Sequence, residues 1–299
     1  MKDFDDIYQK VCDDYKTNDI NIADKPLFMQ KYFIVILIIF FVILMFAIYI
    51  NFFMLLVCYV FMSALVLFAL ESSKKNKKFK TRVITSLIHN YDNNLVFSQE
   101  GCISSIEYRK AEFEQHYDRF HSEDSVRGSI DGIVPIRMSD ILTQDVSTDS
   151  EGHTQTTTLF SGLFAIIELP KNTNLSLLVH NDGGLLGKMF KSKNRLDMDS
   201  SEFEKIFDVK ASDKIKAMQI LTSDVMADLI DFKSKYNKRF ELTIKDSRLF
   251  LRFHSGNVFE RMAFRDELDY NTLRKYFNYL DFSCEVSKKI YNIIQETQL

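Results

Sequence analysis

The stretch "RFELTIKDSRLFLRFHS", Arg239 to Ser255, decides what kind of domain this chain builds. Phe240, Leu242 and Ile244 alternate with polar residues, and Leu249, Leu251 and Phe253 repeat the alternation beyond Asp246-Ser247. Period-two alternation places every second side chain on one face. A two-residue Asp-Ser connection between such runs is the signature of an antiparallel hairpin. A hairpin with one apolar face needs further strands beside it and a layer to cover it.

Both are found on either side. Upstream, "SVRGSIDGIVPIRM", "SDILTQDVS", "HTQTTTLFSGLFAIIEL" and "NLSLLVH" read as successive strands between Ser125 and His180. Asp149-Ser150-Glu151-Gly152 and Pro170-Lys171-Asn172 supply turn chemistry. Leu163 to Leu169 is apolar on both faces, which places it centrally, and Gly162 marks a bulge or a close backbone approach. "VITSLIHNY" (83–91) and "SSIEYRKAEFEQHY" (104–117) read as helices. "DSSEFEKIFDV" has Ser201 and Glu204 at capping-box spacing, with Phe203 and Phe207 on one helical face. "ASDKIKAMQILTSDVMADLIDFKSKY" reads as two helices broken near Thr222-Ser223, the second carrying Val225, Met226, Leu229, Ile230, Phe232 and Tyr236 as an apolar stripe. "NVFERMAF" offers a strand, and the last stretch forms an amphipathic helix through Leu273, Phe277, Leu280, Cys284 and Ile294. The expected fold class is α+β: an antiparallel sheet with helices on one side and a long C-terminal helix.

The N-terminal third has a different texture. Residues 32–70 carry no charge. One straight helix over them would run roughly 58 Å at about 1.5 Å per residue, whereas a bilayer core is about 30 Å thick. Two spans fit better, about 32–49 and 52–70, with Asn51 at the tip of a transmembrane hairpin. Lys74, Lys75, Lys77, Lys78, Lys80 and Arg82 follow the second span, and basic flanks stay on the cytoplasmic side. The expected organisation is therefore a cytoplasmic segment 1–31, a hairpin 32–70, a basic juxtamembrane run 71–82 and a cytoplasmic α+β domain 83–299. It implies a two-pass protein of the plasma membrane with both termini cytoplasmic. The basic run also predicts contact with anionic lipid head groups, worth about 1 kcal/mol per cation near the surface.

Other function classes find little support. A net charge of −3 and pI near 6.1 give no reason to expect nucleic-acid binding. Cys12, Cys58, Cys102 and Cys284 are scattered, without metal or disulfide spacing. "GGLLGK" (183–188) fails as a phosphate loop, since Asp182 stands where the first glycine belongs and Met189 follows the lysine. His116 and His121 are five apart, whereas a one-face helical metal pair is four apart. Ser161 follows Phe160, which prevents a nucleophile elbow. No catalytic residue, metal or cofactor is expected. The reading is a binding or scaffold module that recruits a protein or lipid partner. The alternative is an enzyme with an unfamiliar site near Glu123, Asp124, His116 and His121.

Ser201-Glu202-Phe203-Glu204, Phe207, Val209, Asp213, Ala217, Ile220-Leu221-Thr222 and Met226 together resemble the signature of the bacterial domain-of-unknown-function family three-one-three-seven. Phe160, Gly162 and Phe164 upstream, and Phe253 with Phe259-Glu260 downstream, fit the same pattern. Lys210 stands where the family usually has an aromatic, and Lys216 where it usually has an acid. The resemblance implies a two-helix membrane hairpin joined to a cytoplasmic α+β domain. It implies no activity.

Overall fold

The computed structural model describes residues 2–17, 38, 42, 52–114, 116–149, 152–181, 195–256 and 268–297. Its centre is one nine-stranded sheet in the order β1-β2-β3-β4-β9-β8-β5-β7-β6, every pair antiparallel. The strands are β1 (Leu95–Glu100), β2 (Arg119–Ile130), β3 (Val134–Thr148), β4 (Thr154–Glu168), β5 (Ser176–Asn181), β6 (Arg195–Leu196), β7 (Phe207–Ala211), β8 (Phe240–Lys245) and β9 (Arg248–Phe253). The helices are α1 (Phe4–Thr17), α2 (Phe52–Tyr91), α3 (Ser105–Arg109), α4 (Ser201–Ile206), α5 (Lys214–Ile220), α6 (Ser223–Tyr236) and α7 (Tyr270–Glu296).

The β8–β9 hairpin has the register its alternation requires. Phe240 pairs with Phe253, Leu242 with Leu251 and Ile244 with Leu249, and Asp246 turns the chain at φ 56°. Each of these apolar residues is buried. β4 lies centrally, bonded to β3 on one side and β9 on the other. Gly162 sits at a close approach: a Cβ there would collide with the Phe253 carbonyl.

One face of the sheet carries the main core. α7 lays Leu273, Phe277, Leu280, Cys284, Ile290 and Ile294 against it, and α6 adds Val225, Leu229 and Phe232. At about 1.5–3 kcal/mol for each large apolar side chain fully buried, this layer is the main stabilising contact of the fold. Leu280→Ala would cost about 2–5 kcal/mol through the cavity it leaves. The N-terminal residues enter the same core. The Phe4 ring lies 5.1 Å from that of Phe277, and the Tyr8 ring 4.9 Å from that of Tyr270.

The opposite face carries a smaller cluster of Tyr108, Tyr117, Phe160, Phe164, Ile166 and Phe250, covered by α3 and its flanks. The helices therefore do not all lie on one side. The expected helix over 104–117 is five residues long, capped by Ser104 and Glu107 in a reciprocal box. It ends near Glu112, whose backbone is left-handed at φ 55°. Phe207 also leaves its expected helix for β7, yet its ring stays 4.9 Å from that of Phe203.

The membrane hairpin is corrected. Among the described residues no helix is long and apolar enough to cross a membrane. The two-pass architecture and the plasma-membrane localisation that followed from it are not supported. Asn51, the expected tip, lies outside the described residues. α2 does not stop at Leu70 but runs 40 residues from Phe52 to Tyr91. No Gly or Pro interrupts it after Leu70, and Lys, Arg and Glu are good helix formers. Its apolarity is not sustained along that length. The last turns bury Val83, Ile84, Leu87 and Ile88 in the domain core, so this helix is divided between an apolar stretch, a basic stretch and a docked end.

Candidate functional site

Three places carry polar groups in unusual surroundings. The first is a buried ionic cluster on the smaller face of the sheet. Alternation that sends Leu242 and Leu251 to the main core sends Glu241 and Arg252, register partners on β8 and β9, to the other side. The Arg252 guanidinium, almost fully buried, donates through Nε to Glu241. Its second nitrogen donates to Glu114 Oε1 at 2.8 Å and to Tyr108 Oη at 3.1 Å. It also stacks 4.5 Å from the Phe113 ring centre and 5.1 Å from that of Phe160. Glu241 receives Arg239 at 2.9 Å and has His254 Nε2 3.5 Å away. Burial pushes the Glu241 carboxyl up, but His254, Arg252 and Arg239 outweigh it and hold the group far below the usual carboxylate range. Burial raises the Tyr108 hydroxyl, and Glu114 adds to the rise. A carboxylate so depressed is a poor proton acceptor, and the guanidinium is committed to three partners. The cluster ties the segment around α3 to the sheet as a structural strut.

The second place is a cleft of 270 Å³ between α6 and α7. α6 is set by Thr222, whose hydroxyl caps its first turn, and by Asn237, left-handed at its end. Phe232 stacks on Phe282 with ring centres 3.9 Å apart, giving the cleft an aromatic wall. Asp228 and Lys289 form an ion pair between the two helices, and both line the cleft with Asp231, Lys235 and Glu285. Asp281, also in its wall, is almost fully buried. Its Oδ1 accepts from Tyr91 Oη at 3.2 Å and from the Lys2 backbone N–H at 3.3 Å. Its Oδ2 has no hydrogen-bond partner among the described residues, and neither has the buried hydroxyl of Tyr236 in the same wall. Burial raises the Asp281 carboxyl above the ordinary aspartate range.

The third place is α2 itself. Tyr59, Val60, Phe61, Val66, Leu67 and Leu70 are exposed, Tyr59 by 73% and Leu67 by 67%. Lys74, Lys75, Lys77, Lys78, Lys80 and Arg82 follow on the same helix. Lys80 is turned inward: its Nζ lies 2.6 Å from Asp124 Oδ2, and Asp124 is buried. Arg82 is exposed.

The four residues suggested for an unfamiliar enzyme site do not converge. Asp124, left-handed at φ 45° where β2 bulges, meets Lys80. His121 lies 3.4 Å from Glu123 at the surface. His116 instead neighbours Asp118 and Asp145, at 3.9 and 3.8 Å. These three offer ligand atoms within 4.8 Å of one another, all at exposed side chains. Asp118 is already used structurally: it accepts the Val146 backbone N–H at 2.6 Å, which with Asp145 lowers its carboxyl. Asp145 was not singled out because strand pairing, not sequence spacing, brings it near His116. The Gly183–Lys188 loop lies outside the described residues.

A single antiparallel sheet with a helical layer, a small cleft in that layer and a long partly exposed helix defines an α+β chain with binding surfaces. Residues 158–291 match the model of the family described as "Protein of unknown function (DUF3137)", in agreement with the resemblance read from the sequence. That segment includes most of β4 and nearly all of α7, and so the whole α6–α7 cleft. No curated protein matches the chain. Among solved structures it is similar to the crystal structure of the mycobacterial trehalose monomycolate transport factor A, TtfA, at 10% identity and a TM-score of 0.32. The alignment covers 70% of this chain and 93% of that one. At that level the likeness informs neither mechanism nor ligand.

Proposed function

We propose that this chain is a non-catalytic binding module whose α2 helix engages an anionic lipid surface. One observation carries the reading: the exposed apolar side chains of Tyr59, Val60, Phe61, Val66, Leu67 and Leu70 are followed, on one continuous helix, by a cluster of basic positions. That order matches an amphiphile layer, with an acyl region for the apolar stretch and anionic head groups for the cations. From Val66 to Lys75 the helix rises roughly 14 Å, close enough for both contacts to form together. The docked end of α2 would then hold the sheet beside the lipid. Lys80 contributes little to such contact, because it is engaged by Asp124.

The test is flotation of the full chain with vesicles of phosphatidylglycerol in phosphatidylcholine, against phosphatidylcholine alone. Binding should favour the anionic vesicles and fade with salt, as the Debye length falls from about 10 Å at 0.1 M to about 3 Å at 1 M. Changing Lys74, Lys75, Lys77 and Lys78 to Gln should remove that preference, at about 1 kcal/mol per charge. Unchanged preference in this variant would refute the role of the basic stretch.

A further inference from the structure

We infer that the α6–α7 cleft is a binding site for a small organic cation with an apolar body. The inference rests on two unpartnered polar atoms, on residues that line one cleft, and is independent of how α2 is used. Buried polar atoms are almost always hydrogen-bonded, and each exception calls for an explanation. Here two exceptions, Asp281 Oδ2 and Tyr236 Oη, belong to residues that line the same cleft. A carboxylate oxygen accepts and a phenol oxygen accepts or donates, so the missing group is a hydrogen-bond donor.

The remaining lining sets its charge and shape. Asp228 and Lys289 neutralise each other. Glu285 has Lys288 3.7 Å away, so Asp231 and Asp281 stand against Lys235, which favours a cation. Phe232, Phe282 and Val286 supply apolar wall, and an ammonium or guanidinium gains further from aromatic faces. At 270 Å³ the space is at or just below the small end of ligand pockets, about 300–1,000 Å³. It suits a compact amine rather than a chain lipid or a nucleotide. The burial of Asp281 makes its bare carboxylate costly, and a cation beside it would offset that cost.

The experiment is titration calorimetry of the full chain with 2-phenylethylammonium, compared with 2-phenylethanol, its neutral near-isostere. The cation should bind at least tenfold more tightly. Asp281→Asn should weaken it tenfold or more. Tyr236→Phe should weaken it several-fold while leaving the free protein as stable or more so, since it removes an unpartnered hydroxyl. That opposite movement of affinity and stability would not arise from a purely structural tyrosine. If Asp281→Asn does not fold, Tyr236→Phe and the cation–alcohol comparison on the unaltered chain decide. Equal binding of the alcohol, or undiminished binding by either variant, would overturn the proposal. Agmatine against acetyl-arginine amide separates sources: tighter binding of agmatine indicates a free amine, and tighter binding of the amide an arginine side chain of a partner.

Discussion

Arg252→Met tests the ionic strut most directly. Methionine keeps much of the length and the apolar contact with Phe113 and Phe160 but removes every donor. Glu241 and Glu114, with side chains 6% and 11% exposed, each lose a cationic partner. Breaking a buried pair from one side costs about 3–5 kcal/mol, because the surviving charge stays desolvated. Here Arg239 and His254 still face Glu241, which places the expected loss toward 3 kcal/mol. For a chain of this size each kcal/mol lowers Tm by about 2–4 °C, so the melting point should fall by roughly 6–12 °C. Urea denaturation should show a lower midpoint with unchanged slope. The pH dependence gives a second readout. Glu241 has its carboxyl depressed in the folded state, so its stabilising contribution is present above the ordinary carboxylate pKa and is lost as the pH falls below it. In Arg252→Met that acid loss should shrink. Adding Glu241→Gln should recover part of the stability by removing the unpaired charge. A fall below about 1 kcal/mol for the single variant, or full additivity in the double one, would refute the argument.

Burial pushes the Cys284 thiol up to about 12, so Cys284 should resist maleimide at pH 7.5 in the native protein and react only on unfolding, as read by mass spectrometry. Asp281, raised by burial, binds its proton more tightly folded than unfolded, so its contribution is fully present at low pH and is lost as pH rises through its folded pKa. Asp281→Asn should therefore be at least as stable as the parent at pH 7 by thermal melting, and a marked loss would contradict this. Gly162→Ala should cost about 1–3 kcal/mol or more in urea denaturation, since the added methyl meets the Phe253 carbonyl at the centre of the sheet. Lys80→Met should cost about 1.5–3 kcal/mol by removing a charged partner of the buried Asp124; a neutral result would return Lys80 to the surface cations.

What the sequence revealed follows the range of the interactions involved. The β8–β9 hairpin, the central place of β4, the break before α6 and the span of α7 were legible because period and turn chemistry are local signals. Thr222 caps α6 where the break was expected. The cap of α4 was read one residue late: Ser200 accepts the Phe203 N–H, and Glu204 reaches the Met198 N–H. β1 went unread because Leu95–Glu100 has little apolar alternation beyond Leu95 and Phe97. The two expected spans rest on the length of the uncharged run, the lone Asn51 and the basic flank, and none of these shows that α2 continues into the core. The site was the least legible part. Glu241 and Arg252 look like ordinary outward-facing strand residues until α3 and Glu114 fold over them. Asp281 and Tyr236 belong to different helices, and only tertiary packing gives them a common cleft.

The place of β4 in the sheet has a consequence for how the chain acquires its structure. β1 to β4 form a meander of sequential neighbours, and β8 and β9 form a local hairpin. Among the described strands the two halves pair along β4 and β9, from the Leu163–Phe253 pair to Glu168–Arg248. Between these strands the chain passes through β5, β6, β7, β8 and three helices. Closing so long a loop costs entropy before any pairing offsets it, and such non-local contacts slow folding. The meander and the hairpin should therefore form early, with the β4–β9 seam closing in the rate-limiting step. Until then both strands present open edges, and β4 carries Phe164 to Ile167 along its edge. During synthesis the meander emerges well before β9, so it is the part that most needs protection from pairing with another copy of itself.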